Sequence, residues 1–303
     1  TLANRLSFYL LLFILGLFVL ENLSRKKAQY HTPTKSGIKK KTSISLKGKK
    51  SIFAFLFCFF VFFISFIFPV LQMLYWTMSF PKHLSDLNLI KLFSNTILLV
   101  LLSSTMLIFL SFISNYGNRV TKSKLLNILT TFSVSGYAIP GIILAIAFIT
   151  FISWFDNNIV SFFGIKTIKS IFIGSILGLI LVYFIRFYSL ASNGIKSSYL
   201  RINYSIDESA YLLGYSKFKT FTNIHIPYLK NSVLLIGVLI TIEIIKELPI
   251  TLIMRPFNFE TFATSAYIFA SQDLLEAAAA PSLFLIIIAS FFILITSRYI
   301  LKD

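Results

Sequence analysis

The segment Ser205–Pro227, SIDESAYLLGYSKFKTFTNIHIP, is a polar and basic stretch between two long apolar runs. Its first residues, Ser205-Ile-Asp-Glu208, have the capping-box pattern, in which the Ser and Glu side chains bond each other's backbone amides at the start of a helix. We therefore predict a short helix over Ile206–Leu213. Gly214 is placed to end that helix in a left-handed turn. A second short helix is predicted over Lys217–His225, so that the segment forms two helices bent at a glycine.

Apolar side chains remain on this bent pair of helices, at Ala210, Leu213, Tyr215 and Phe218. Exposed together, they would form an apolar patch of the kind that contacts another protein or a membrane. One interpretation is that a protein partner covers them. The other is that the segment packs back on its own chain or lies among lipid headgroups. The residues alone leave both interpretations open.

The rest of the chain is dominated by long apolar runs. Hydrophobic residues make up 56% of the 303 positions and charged residues 13%, whereas soluble domains carry about 25% charged residues. A run of about 20 apolar residues can cross the hydrocarbon core of a bilayer as a helix. Strands of a membrane barrel would instead alternate apolar and polar residues, so we predict an all-α polytopic membrane protein. The runs are approximately Leu6–Leu23, Ile52–Trp76, Asn95–Ser114, Leu125–Phe151, Ile168–Tyr188, Ser232–Ile253 and Pro281–Arg298.

The net charge of +17 is explained by the loops between these runs. Cytoplasmic loops of membrane proteins are enriched in Lys and Arg, and the basic residues here gather in alternate loops. This pattern places residues 24–50, a long loop of about 187–230 and the C-terminus in the cytoplasm. Nucleic-acid binding is the weaker interpretation of the charge, because no basic stripe interleaved with aromatic residues lies outside the runs. We expect no nucleic-acid partner.

Three regions follow from this arrangement. Residues 1–23 are predicted to form one transmembrane helix, residues 24–50 a basic linker, and residues 51–303 a six-helix unit that includes the loop of about 187–230. A lone helix ahead of a complete unit, in a chain that begins with Thr1, indicates the last helix of a preceding unit. We therefore expect a second six-helix unit in an upstream part of the same chain.

Two of the predicted spans contain helix-breaking residues. Pro140 and Gly141 interrupt one span, and such a break is tolerated where protein or a cavity satisfies the freed backbone groups. It is either a simple kink or part of a transport path, and the residues do not decide between the two. In the other span, Glu247 stands just ahead of Pro249. We predict that this carboxylate belongs to the path or its gate, because charges inside a membrane span are costly.

Further charges lie in or near the same span. Glu243 and Lys246 are three residues apart, so they can pair on one helix face. A structural ion pair is the favoured interpretation, with a place in the path or gate as the alternative. Arg255 is predicted either to meet a docking protein or to anchor the end of the span. The three histidines are scattered, and no cluster of His with carboxylates predicts a metal site.

The spacing within the opening segment resembles a known family signature. Glu208-Ser-Ala, three residues, Gly214, nine residues and Ile224-His-Ile-Pro resembles the motif of binding-protein-dependent ABC permeases. That motif reads Glu-Ala-Ala, three residues, Gly, nine residues, Ile, any residue, Leu-Pro. Two positions depart from it, with Ser209 in place of Ala and Ile226 in place of Leu. Both changes are small or conservative and keep the helical and apolar character of the motif.

The resemblance implies that the segment is a coupling helix, which sits in a groove of a separate ATP-binding subunit. Closure of two such subunits on ATP would switch the helix bundle between outward-facing and inward-facing states. The chain itself has no Gly-rich phosphate loop with Lys and Ser or Thr. We therefore expect no enzymatic activity, no catalytic residue and no bound cofactor in this chain, with ATP held by the partner. The implied coupling residues are Asp207, Glu208, Ser209, Ala210, Gly214, Ile224, Ile226 and Pro227.

The same resemblance implies partners and a location. The partners are a dimer of ATP-binding cassette ATPases, a periplasmic or lipid-anchored substrate-binding protein, a second six-helix unit and the lipid bilayer. The location is the bacterial cytoplasmic (inner) membrane, with a multi-pass chain whose C-terminus is cytoplasmic.

A second stretch bears on the cargo. Lys246–Thr264, KELPITLIMRPFNFETFAT, looks like the end of the fifth span and the following periplasmic segment of ferric-iron permeases, which are fused proteins with two six-helix units. Related permeases for thiamine, phosphonate, sulfate or polyamine share the coupling motif but match this stretch less well. The resemblance therefore implies ferric iron as the cargo, delivered by a separate binding protein.

Two other classes of function are compatible with a helical membrane protein. An integral-membrane enzyme would need a catalytic group of residues at one membrane face, and the acids Asp156, Glu260, Asp273 and Glu276 show no such grouping in the sequence. A channel would not need the spacing of the coupling motif. The permease interpretation is favoured over both because it alone explains that spacing.

Overall fold

The computed structural model describes residues 46–85, 87–121, 123–163 and 172–300, together with residues 8, 9, 12, 13 and 16. The predicted helix 1–23 and linker 24–50 therefore lie almost wholly outside the described residues. Within the described ranges, every regular element is helical.

Eleven labels cover the helices of residues 46–300. In chain order they are α1 (Lys49–Ser79), α2 (Pro81–Ser85), α3 (Leu89–Thr121), α4 (Lys124–Val134, followed by a 3-10 turn, Ser135–Ala138), α5 (Gly141–Phe163), α6 (Ile176–Tyr199), α7 (Tyr204–Leu212), α8 (Lys217–Ile245), α9 (Pro249–Met254), α10 (Phe262–Ser271) and α11 (Leu275–Ile300).

The long helices are those of a membrane protein. Among the described residues, five helices are long and apolar enough to cross a membrane, namely α1, α3, α6, α8 and α11. The bent pair α4 and α5 raises the number to six if it serves as one broken span. The prediction of an all-α polytopic membrane protein is confirmed.

The chain divides into two compact units, residues 1–78 and 79–303. In the first unit, α1 is apolar and none of its described residues is buried, as suits a helix surrounded by hydrocarbon. It contains a π turn, Phe63–Ile67, just before Pro69. Because proline has no N–H to donate, the helical ladder shifts at this point, and the Phe68 N–H donates to the carbonyl of Phe63.

In the second unit, α3, α6 and α8 pack against one another around a buried core that includes Tyr183, Phe187 and Ile240. Gly194 of α6 faces Ile236 of α8, and a Cβ atom at Gly194 would lie only 2.8 Å from Ile236 Cγ1. Small residues let two membrane helices approach in this way. Helices α10 and α11 pack together at one side, and α11 also contacts α8.

The span predicted over Leu125–Phe151 is not one helix. The chain bends by 119° between helix α4 with its 3-10 turn and helix α5. Pro140 lies between the two. Ile139 is extended, with φ −81° and ψ 128°, because the ring of a following proline disfavours helical geometry. The chain therefore turns at this proline instead of kinking.

The bounds of two other predicted spans are also wrong. The span predicted over Ser232–Ile253 is broken, since α8 ends at Ile245 and α9 begins at Pro249. Pro281, predicted to open the last span, lies inside α11. The four alanines before Pro281 are the best helix formers, and this propensity offsets the hydrogen bond that proline removes.

The loop predicted over about 187–230 is much shorter in the structure. Helix α6 continues to Tyr199 and α8 begins at Lys217, so that only residues 200–216 lie between them. The separate helix predicted over Lys217–His225 is instead the start of α8. A π turn, Phe221–His225, precedes Pro227 and lets the helix continue through the proline.

Candidate functional site

The first candidate site is the knob, defined as α7 together with the first turn of α8, residues 204–220. The predicted capping box at Ser205 and Glu208 is wrong, because α7 begins two residues earlier than that box requires. The cap is Asn203, whose side chain accepts a hydrogen bond from the Ser205 backbone N–H at 3.3 Å. The reason lies outside the segment: the guanidinium of Arg119 binds the carbonyls of Ile202 and Asn203 at 3.0 and 3.1 Å and fixes the chain there.

The bend of the knob has the predicted glycine. Gly214 adopts φ +80°, in the left-handed region that glycine enters without strain. Its N–H donates to the carbonyl of Tyr211, and the Tyr215 N–H donates to that of Ala210, both at 3.0 Å. These two bonds form a Schellman motif, which ends α7. Ser216 then caps α8, with its side chain accepting from the Lys219 N–H at 3.2 Å.

A buried ion cluster ties the knob to the membrane helices. One carboxylate oxygen of Asp207 lies 2.7 Å from Arg119 Nε on α3, and the other lies 2.7 Å from His225 Nε2 on α8. All three side chains are buried, and Arg119 also stacks over the ring of Tyr204, 4.3 Å from its centroid. Asp207 therefore fixes α7 to both α3 and α8.

The sequence prediction missed two members of this cluster. Neither Arg119 nor His225 stands out locally, because basic residues in loops are expected from membrane topology alone and the three histidines are scattered in the sequence. Arg119 and Asp207 are 88 positions apart in sequence, so no local spacing pairs them. Asp207 was assigned to coupling with Glu208, but the structure separates the two, with Asp207 turned inward and Glu208 exposed.

The outward face of the knob is apolar. Leu212, Leu213 and Phe218 are 89%, 78% and 73% exposed, so exposure is confirmed for Leu213 and Phe218. Ala210, predicted to be exposed as well, is buried, because α7 presents this small residue to its own chain. Beside the knob lies a groove of about 360 Å³ whose walls are Ser205, Ile206, Ser209, Ala210, Leu213, Tyr215, Asn223 and Ile224.

The remaining positions of the motif line the start of α8. Ile224 is half-buried and reaches the groove, whereas Ile226 and Pro227 are exposed. The structure therefore brings Ser209 and Ile224 to one surface and places Ile226 and Pro227 beyond it. Exposed apolar residues next to a groove form a surface suited to a protein partner.

The second candidate site is the double break, defined as the helix interruptions at residues 139–140 and 246–248 with the arginine that joins them. Arg186 of α6 donates from Nη1 to the carbonyl of Ile139 at 2.9 Å. Its Nε atom lies 3.3 Å from Glu247 Oε2. The other carboxylate oxygen of Glu247 accepts from the Ile250 N–H at 3.3 Å. Two separate broken spans thus meet at one buried ion pair.

The glycine at the first break is required by this contact. A Cβ atom on Gly141 would lie 2.9 Å from Glu247 Oε1 and 3.2 Å from Arg186 Nη1. The structure therefore places Gly141, beside Pro140, next to Glu247 and Ile250, beside Pro249. The assignment of these residues to a path or gate stays a prediction. Arg186 was missed, although an arginine inside an apolar run was a usable signal.

A second bond between α6 and α9 accompanies the pair. The hydroxyls of Tyr183 and Thr251 are hydrogen-bonded, and Thr251 Oγ1 also donates to the backbone carbonyl of Glu247 at 2.6 Å. Both side chains are buried. Helix α9 is therefore attached to α6 independently of Arg186.

The other predicted charges of this region have partners of their own, although Lys246 lies within the second break. The predicted ion pair of Glu243 and Lys246 is confirmed at 2.7 Å, with side chains 25% and 56% exposed. Arg255 bonds the carbonyl of Phe259 and the carboxylate of Glu260, each at 3.3 Å. It therefore holds the loop after α9, and the two predicted roles of Arg255 stay predictions.

The described residues contain no group of three or more His, Cys, Asp or Glu side chains placed to hold a metal ion. What the geometry provides is mechanical: an apolar knob fixed to two membrane helices, and a charged contact between two broken ones.

The long apolar helices of the described residues define the chain as an all-helical, multi-pass membrane protein. No family model and no curated protein matches the sequence. The fold is similar to a chain in the crystal structure of a bacterial alginate ABC transporter in complex with an alginate pentasaccharide-bound periplasmic protein. That match has a TM-score of 0.65 and 17% identity, and covers 82% of this chain and 93% of the other.

A second solved structure agrees. A chain of a bacterial ABC transporter involved in the import of the acidic polysaccharide alginate matches with a TM-score of 0.63 and 19% identity, covering 82% of this chain and 94% of the other. At these identities the likeness establishes a shared fold.

Proposed function

We propose that this chain is the membrane-spanning subunit of an ABC-type importer. The observation that carries the proposal is the knob, where the residues with the permease spacing form a bent pair of helices with exposed Leu212, Leu213 and Phe218. The fold likeness to chains of two ABC transporter structures supports the same proposal. A partner that covers three large apolar side chains gains about 1.5–3 kcal/mol for each that is fully buried.

In this function the knob receives the movement of an ATPase dimer. Asp207 holds α7 to Arg119 of α3 and His225 of α8 at 2.7 Å, so a displacement of the knob moves both membrane helices. ATP binds and is hydrolysed in the partner, and this chain carries neither the nucleotide nor a catalytic residue. The double break then belongs to the path through which the cargo passes.

The remaining partners follow from the same proposal. A substrate-binding protein delivers the cargo on the periplasmic side, where the loop held by Arg255 presents Phe257 with its side chain fully exposed. A second six-helix unit, in an upstream part of the same chain, completes the path. The chain lies in the bacterial inner membrane with its C-terminus in the cytoplasm.

For the cargo we propose ferric iron. The support is the resemblance of Lys246–Thr264 to ferric-iron permeases, and this stretch contains Glu247 and the second break. Alginate is named for the two similar structures only. Their sequence identity to this chain is too low to indicate its cargo. Iron would pass as a delivered cargo, without a resident site in the described residues.

The proposal is tested at the bend of the knob. Gly214→Val forces a β-branched residue into φ +80°, which costs about 1–3 kcal/mol and displaces the apolar face. We expect the chain to lose co-purification with its ATPase subunit, or to lose the ATP hydrolysis that the loaded binding protein stimulates in proteoliposomes. Gly174→Val is the matched control, because Gly174 also has a positive φ and, like Gly214, has no atom within 4 Å of a built Cβ.

Coupling that survives Gly214→Val at the level of the Gly174→Val control contradicts the importer proposal. The cargo is tested separately by the uptake of radioactive iron in a strain that lacks the gene. Normal iron uptake in that strain, with loss of thiamine, phosphonate, sulfate or polyamine uptake instead, would reassign the cargo and leave the importer function in place.

A further inference from the structure

Arg186 is a charge in the middle of a membrane span. It lies on the 24-residue helix α6, about 15 Å from the start of that helix at 1.5 Å per residue. A charged residue at this depth faces the interior of the bundle and needs a partner. Its partners are the Ile139 carbonyl, left without a helical bond by the first break, and the Glu247 carboxylate at the second.

The contact between the two charges is loose. Arg186 Nε is buried and 3.3 Å from Glu247 Oε2, yet it makes no directed hydrogen bond to any described residue. A well-formed charge-assisted bond would be about 2.7–2.9 Å long. Burying two charges without such bonds leaves much of the desolvation penalty uncompensated. The pair is therefore held by the Ile139 carbonyl and the Ile250 N–H as well as by its own attraction.

The surroundings also show what is freed when the pair separates. Helix α9 remains attached to α6 through the Tyr183–Thr251 bond. The Ile139 carbonyl, and with it the turn between α4 and α5, is held to α6 by the Arg186 side chain. Loss of the Arg186 contacts thus releases the first break while the second stays in place.

We propose, on the basis of the importer function proposed above, that Arg186 is a positioning residue of the transport path. Its guanidinium holds the two breaks together through Glu247 and the Ile139 carbonyl, and release of these contacts opens the path at mid-membrane. Arg186 acts on the cargo's route without binding the cargo, and Gly141 is the residue that gives its guanidinium room to reach both partners.

The test uses the double variant Arg186→Gln/Glu247→Gln, which removes the contact without leaving an unpaired buried charge. The complete transporter is reconstituted in nanodiscs with Cys58→Ser and a reporter cysteine, Ala138→Cys, at an exposed position beside the first break. The probe is a water-soluble maleimide. We expect the double variant to raise the labelling rate of the reporter on the order of fivefold.

The second readout is ATP hydrolysis in the absence of the binding protein. It should rise in the double variant, because closure of the two ATPase subunits no longer depends on delivery of cargo. The matched control is Lys82→Gln/Asp273→Asn, which likewise neutralises one basic and one acidic side chain, both of them exposed and outside the two candidate sites. It should leave both readouts unchanged. Arg186→Lys, which keeps the charge, should give a labelling rate between those of the wild type and the double variant.

Labelling and basal hydrolysis in the double variant equal to those of the wild type overturn the proposal. If the double variant does not accumulate, Gly141→Ala replaces it, because its Cβ displaces the Glu247 carboxylate while both charges remain. The importer function is checked independently by hydrolysis in the wild-type complex. Absence of stimulation by the binding protein there contradicts the function, whereas the labelling rate reports on the contact within the chain.

Discussion

Two ion contacts among the described residues, one buried and one partly buried, differ in how they are made. At the base of the knob, Asp207 bonds Arg119 and His225 at 2.7 Å each, with both carboxylate oxygens in use. At the double break, Arg186 and Glu247 approach to only 3.3 Å, and Arg186 Nε makes no directed hydrogen bond. The first contact resists deformation and can pass on a force. The second contact joins two interrupted helices and lacks a directed hydrogen bond at Arg186 Nε.

The largest effect is expected at the tight contact. Asp207→Asn keeps the shape of the side chain but leaves Arg119 buried without its counter-charge, which typically destabilises a protein by about 3–5 kcal/mol. Thermal unfolding of the purified chain in nanodiscs should show a strongly lowered Tm. Glu208→Gln is the control, because this neighbouring acid is exposed and should change stability by no more than about 0.5 kcal/mol. A Tm for Asp207→Asn equal to that of the control would contradict the strong contribution of the Asp207 contact to stability.

A smaller effect on stability is expected at the loose contact. Gly141→Ala adds a Cβ 2.9 Å from Glu247 Oε1, and overpacking of this kind costs about 1–3 kcal/mol. We expect the low end of that range, because the carboxylate can move, together with raised ATP hydrolysis in the absence of binding protein. Gly117→Ala is the control, since its Cβ would meet only a Leu126 methyl at 3.3 Å. If Gly141→Ala left basal hydrolysis at the level of that control, the contact would not be a moving part.

The smallest effect is expected at the exposed pair. Glu243→Gln removes a contact whose lysine is 56% exposed, and such pairs contribute about 0.2–1 kcal/mol. The Tm should stay close to that of the wild type. The expected order of the stability losses rests on the exposure of each ion contact. A loss comparable to that of Asp207→Asn would mean that exposure does not determine how much these contacts contribute to stability.

Local chemistry made the knob predictable in part. Gly214 was predictable because a helix that ends in a left-handed turn usually has a glycine just after its last turn. The interval between Glu208 and Gly214 also matches the permease motif, and this can be read without knowledge of the fold. The cap was not predictable in the same way. Ser205 had the better pattern, but the bonds from Arg119 to the backbone at Ile202 and Asn203 decided where α7 begins.

The double break was predictable from its residues but not from their arrangement. Pro140 and Pro249 indicated two interruptions, and Glu247 indicated a buried charge. That both breaks meet at Arg186 depends on the packing of three helices, which no spacing in the sequence encodes. The span bounds were wrong for a related reason: apolar composition ends at the membrane surface, whereas α6 and α8 continue as helices beyond it.

The continuity of α8 has a mechanical consequence. Its span of 29 residues, Lys217–Ile245, corresponds to a rod of about 43 Å at 1.5 Å per residue. One end of the rod adjoins Gly214 in the knob, and the other stops just before Glu247. The two sites thus adjoin opposite ends of one helix. A tilt of about 10° about the centre moves each end of such a rod by about 4 Å, which exceeds the separation that holds Arg186 to Glu247.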